Sequence, residues 1–144
     1  MLDNQDINIH NIPPIEPVPV TQECIVATAL RFDLPILLLH TILKVEGGEV
    51  GKVNYNTNDT YDIGPMQINS IWLDKFQPYV TPSQILYNGC INVQIGAWIL
   101  RSNINKAEGD FWKGVGNYHS GTPHLHRKYQ EKVYAMSNQL LKQD

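Results

Sequence analysis

The chain has 144 residues, 42% apolar and 17% charged, and its 11 basic and 14 acidic side chains give a formal charge of −3. That is enough for one domain with one core, and too apolar for a disordered chain. It has no basic stripe for nucleic acid, and no run reaches the roughly 18–20 apolar residues of a membrane-spanning helix.

Residues 1–20 start polar and become proline-rich at Pro13, Pro14, Pro17 and Pro19. They lack the basic start and apolar stretch of a signal peptide. They read as a flexible arm of polyproline-like conformation, either a tether or a docking peptide. Residues 21–144 are left as the folded domain. Cys24 and Cys90 are the only cysteines, 66 residues apart and without CxxC spacing. Zinc is therefore not indicated, and a disulfide or two buried thiols fit the spacing equally.

A first helix is expected through QECIVATALRF, ending before Asp33, which with Pro35 reads as the start of the next. That second helix, LPILLLHTILKVE, is apolar on every face, which predicts burial on every face. Gly47 or Gly48 ends it, because glycine accepts the left-handed conformation that closes a helix. Residues 49–63 are rich in Asn, Thr, Asp and Tyr and predict a loop or short irregular hairpin. Short helices are expected from Ser70 and, with Thr81 as cap and Pro82 in the first turn, from TPSQIL. A long helix follows NGC, with Ile91, Ile95 and Trp98 on one stripe and Val93, Ala97, Leu100 and Ile104 on another. DFWKGVGNYHSG gives a short helix. The last helix carries Leu125, Tyr129 and Val133 at four-residue steps. The expected fold is mainly α, a compact helical domain with a small flap after the second helix.

The second helix ends on an acid, Glu46. A carboxylate there meets the negative end of the helix dipole, and an apolar setting disfavours its charge further. Both effects keep it protonated towards neutral pH, as a general acid requires. A surface glutamate at a frayed helix end is the plain alternative. The HxH pair of PHLHR has no carboxylate or cysteine at ligand spacing, so neither a metal nor a cofactor is expected. Trp72, Trp98 and Trp112 are all expected in the core, with Trp112 the best candidate for an exception.

Five blocks then fall in order: VEGG, YDIGPMQINS, AWIL, GVGNYHSG and RKYQEKVY. Together they resemble the lysozyme-like lytic transglycosylases, most closely the small exported ones that accompany type III and type IV secretion, conjugation and pilus systems. The resemblance covers about residues 22–135 and implies an α+β lysozyme-like fold. It implies peptidoglycan glycan strands as substrate, cleaved between N-acetylmuramic acid and N-acetylglucosamine with a 1,6-anhydro product. It also implies a Cys24–Cys90 disulfide, a periplasmic or exported location, and a monomer with a secretion or pilus component as a partner for the arm. Glu46 would be acid and then base. Tyr129 would hydrogen-bond to it, Met66, Gln67, Ile68 and Asn69 would line the groove, and Tyr118 would stack on a sugar. His119 stands where the family usually has Asn. Asp62 matches the second carboxylate of the c-type lysozymes, which makes a hydrolytic muramidase the runner-up. As a plain turn residue, Asp62 would pin the flap instead. A non-catalytic peptidoglycan-binding or anchoring module is the alternative outside enzymes.

Overall fold

Residues 15–143 are described by a computed structural model. Their elements run α1 (Gln22–Phe32), α2 (Ile36–Glu46), β1 (Val53–Tyr55), β2 (Tyr61–Ile63), β3 (Ile68–Asn69), a 3-10 turn (Ser70–Trp72), α3 (Leu73–Phe76), α4 (Pro82–Tyr87), α5 (Gly89–Lys106), α6 (Phe111–His119) and α7 (Pro123–Leu141). The mainly α expectation holds. The first fourteen residues of the arm lie outside the described part.

Capping divides the chain much as its sequence signals. Thr81 and Gln84 form a reciprocal capping box around Pro82, and Asn88 and Asp110 cap α5 and α6. Gly47, at φ 63°, closes α2 directly after Glu46. The α1–α2 junction differs from expectation. Asp33 does not start α2. It closes α1 in the left-handed region at φ 52°, a conformation that Asp tolerates, and Pro35 takes the cap of α2. Arg101 then satisfies the chain end, donating through Nε to the Phe32 carbonyl at 2.9 Å and through its guanidinium to that of Asp33.

Helix α5 is the centre of the packing, lying against α1, α4 and α6, while α7 packs on α2 and α6. Both expected stripes of α5 point inward. Val93, Ala97, Leu100 and Ile104 are fully buried, and Ile91 and Trp98 are partly so. Helix α2 is not sheathed all round. Leu39, Thr41 and Ile42 are buried, but Ile36 in the first turn stays 40% exposed.

The flap is more regular than expected. β1, β2 and β3 form an antiparallel sheet in that order, with Val53 opposite Ile63 and Asp62 opposite Asn69. The third strand comes from the Ile-Asn of the GPMQIN block. Asn92 of α5, fully buried, fixes the flap to the helices. It donates to the carbonyls of Ile63 (2.9 Å) and Ile85 (3.0 Å), and accepts from the Met66 amide (2.8 Å). Gly96, one turn further along α5, leaves the space that the Met66 side chain fills. A Cβ there would lie 2.6 Å from its terminal methyl.

Cys24 of α1 and Cys90 of α5 are joined in a disulfide. Beside it the end of the arm is pinned. Val18 donates to the Tyr87 carbonyl at 2.8 Å and accepts from the Gly89 amide at 2.7 Å.

Candidate active site

A cleft of about 430 Å³ opens between the flap and the helices, and Glu46 and Asp62 both line it. Glu46 reaches it because α2 stops there. Gly48 lets the flap close up behind: a Cβ would stand 2.0 Å from the Gly64 carbonyl oxygen and 2.5 Å from the Gln67 amide nitrogen. The acid is therefore wedged between a helix end and a sheet.

Burial pushes the Glu46 carboxyl up to about 7, and the Asp62 charge adds to that. The Tyr129 hydroxyl, which donates to Glu46 Oε2 at 2.6 Å, and the Lys132 cation pull the other way without cancelling it. Desolvation thus wins over hydrogen bonding, and the acid keeps its proton close to neutrality. Tyr129 is itself only 4% exposed, and burial together with the Glu46 charge holds its phenol protonated. With Oε2 engaged by Tyr129, Oε1 is the oxygen left to carry a proton to a ligand.

Asp62 sits in mid-strand. Its Oδ1 accepts from the Asn69 side-chain amide at 3.0 Å, across the β2–β3 pair. The bond that orients it comes from a side chain, not from backbone amides. Asn69 also bonds the Thr60 hydroxyl at 3.2 Å. Gln67 has a positive φ of 53°, and its side chain is tied on both sides, donating to the Gly64 carbonyl at 2.9 Å and accepting from Asn54 at 3.0 Å. Those bonds hold a conformation that costs a residue with a side chain about 1 kcal/mol.

Residues 23–141 match the transglycosylase SLT domain. The chain belongs to that family. Among its relatives, the Invasion protein IagB of Salmonella typhimurium is 30% identical over 118 residues, 78% of this chain and 73% of the relative. IagB of Salmonella typhi matches to the same extent. Protein IpgF of Shigella flexneri is 29% identical over 110 residues, 72% of each chain.

Within this SLT domain, Glu46, Asp62, Gln67, Ile68, Asn69, Tyr118 and His119 come together around the cleft, while Met66 does not. Its side chain is fully buried against Gly96, and only its carbonyl takes part, accepting from the Tyr118 hydroxyl at 2.7 Å. Tyr118 is thus braced from below. His119 stacks on Tyr129, with centroids 4.9 Å apart and planes 9° from parallel. Burial and Lys132 lower the His119 pKa, so the ring is neutral at neutral pH.

Trp72 and Trp98 pack half-buried against the core, as expected, but Trp112 is exposed. Trp72 borders the cleft, whereas Trp112 packs on Tyr134 beside Arg127 and Gln130, in a separate surface depression. Trp72 follows the third strand, which carries it round to the cleft. Asn56, Asn58, Ile99 and Leu125 also line the cleft and were not anticipated. The asparagines had a signal in the Asn- and Thr-rich run of residues 54–60. Asn92 had none, since it falls on neither apolar stripe of α5, a helix that also carries Gln94 and Asn103. No cluster of metal-ligating side chains occurs among the described residues, and no single helix there is long and apolar enough to cross a membrane.

Proposed function

We propose that the chain is a peptidoglycan lytic transglycosylase that cleaves the β-1,4 bond between N-acetylmuramic acid and N-acetylglucosamine. The observation that carries this reading is Glu46, a carboxylic acid held protonated to about pH 7 at the edge of a polar cleft and oriented by Tyr129. Glu46 gives its proton to the bridging oxygen as the bond to C1 breaks. The positive charge that develops at C1 is met by the oxygen of the sugar's own acetamido group. Glu46, now ionised, takes the proton from the C6 hydroxyl of the same muramic acid while O6 attacks C1. The ring closes as a 1,6-anhydro sugar, the acid is restored, and no water is consumed.

A second reading is favoured by Asp62, which lines the same cleft and is oriented by Asn69. As a nucleophile or ion-stabilising group it would lead to hydrolysis, with water finishing the reaction and reducing ends as product. Digestion of purified peptidoglycan, with the muropeptide ends read by mass, separates the two. Anhydro ends, lighter by one water, are expected. Reducing ends would transfer the assignment to a muramidase.

The proposed substrate and the disulfide support a site of work outside the cytoplasm, in an oxidising compartment. The likeness to relatives named for invasion fits local wall opening during assembly of an envelope-spanning machine, with the arm as the contact to it. A monomer suffices, because one chain supplies the acid and the whole cleft.

A further inference from the structure

Behind the aromatic wall of the cleft lies a second basin, of about 550 Å³. The wall is shared. Trp72 lines the cleft, and its ring stands 6.1 Å from Trp98 and 6.2 Å from Phe76, which both line the basin. Ile99 and Trp98 are neighbours on α5, one facing each concavity. The basin is apolar in its body and cationic at its rim. Lys75 Nζ rests 5.1 Å over the Trp98 ring, and Arg31 is steadied by Gln94 Oε1 at 2.9 Å. Among the described residues, no acidic side chain lines it. The ion pair found among the described residues, Lys52 with Glu49, involves neither cation. In a chain of net charge −3, two cations without a carboxylate partner among the described residues, on an aromatic bed, select for an anion with an apolar stem.

Every muramic acid in a peptidoglycan strand can carry such a group. The stem peptide on its lactyl ether has more carboxylates than amines, with methyl and methylene groups between them. Four extended residues reach up to roughly 14 Å, more than one ring-to-ring step across the shared wall. We infer that the basin binds the anionic stem peptide of the strand held in the cleft, with Arg31 and Lys75 on its carboxylates and Trp98 and Phe76 against its carbon skeleton. This rests on the cleft being a peptidoglycan site, and it adds that the enzyme distinguishes peptide-bearing from naked glycan.

The test is co-sedimentation of the full chain with sacculi, intact or stripped of stems by an amidase. A Glu46→Gln background ensures that no turnover intervenes. The Glu46→Gln chain is expected to bind intact sacculi about fivefold more tightly than stripped ones, a modest factor in keeping with exposed charge pairs, and the preference should shrink at high salt. Adding Arg31→Glu and Lys75→Glu should erase the preference, leaving binding to stripped sacculi and the melting temperature unchanged. Equal binding to both sacculi before the rim is altered would overturn the inference and leave the basin to an acidic segment of a protein partner. Loss of both affinities together in the rim variant would overturn it too. Absence of muropeptide release by the unaltered chain, with the stem preference intact, would count against the proposed chemistry and not against the basin.

Discussion

Glu46 is kept uncharged at a cost that the fold begins to bear above about pH 4.5 and bears in full above about 7. The folded chain holds the proton up to about pH 7, while an unfolded chain releases it near 4.5. Between those values the folded state binds more protons, so stability falls as pH rises through that window and stays low above it. Glu46→Gln removes the ionisable group and retains an acceptor for Tyr129. It should therefore be more stable than the parent by about 3 kcal/mol at pH 8 and nearly equal to it at pH 4, as denaturant melts would record. The same variant should lose cleavage by at least about 10³-fold. Tyr129 acts in the opposite sense, since its hydrogen bond lowers the acid's pKa. Tyr129→Phe should move the alkaline limb of the pH–rate profile upward while slowing the maximum about tenfold, and a limb that moves down would refute the assigned balance.

Much of this was legible in the chain. An acid ending an apolar helix signals desolvation, and Tyr129 lies on the four-residue stripe of α7. What escaped was which element covers which face. Periodicity gives a face but not its neighbour, so Met66 was expected in the groove and is in the core, and the tryptophan that borders the cleft is Trp72, not Trp112, the one singled out as an exception.

At the scale of elements, the site depends on how the flap is held to α5. Asn92 alone carries three hydrogen bonds from the helix to Ile63, Ile85 and Met66, in a place with no access to water. Asn92→Ala strands two carbonyls and one amide and should cost at least about 3 kcal/mol. Amide exchange should quicken first in residues 61–69, because those strands are the ones released. Uniform quickening across all helices would mean that Asn92 supports the core generally. The flap itself was anticipated only as a loop or short irregular hairpin, not as a three-stranded sheet. Three strands of two or three residues are too short for an alternation pattern to declare itself, and their pairing follows from the buried anchor. The α1–α2 junction was misassigned for a related reason. Asp suits both a helix start and a left-handed helix end, and the carbonyl bonds from the distant Arg101 go with the second.

The whole molecule is stapled where its first and central helices meet, with the arm's root pinned alongside. Closing a 66-residue separation removes unfolded-state freedom equivalent to about 4 kcal/mol. Reduction should lower the melting temperature by roughly 10 °C, and an unchanged melt would show that packing alone holds α1 to α5. The cysteines were countable in the sequence but their pairing was not, since spacing is silent on distance. The resemblance implied the bridge, and the 5.8 Å Cα separation accords with it.

Burial leaves Glu46 as a proton donor in the cleft at neutral pH. Carbon-13 NMR of the Glu46 side-chain carboxyl, assigned by its loss in Glu46→Gln, measures it directly. A titration midpoint near pH 7 is expected. A midpoint near 4.5, the ordinary value for an exposed glutamate, would contradict it.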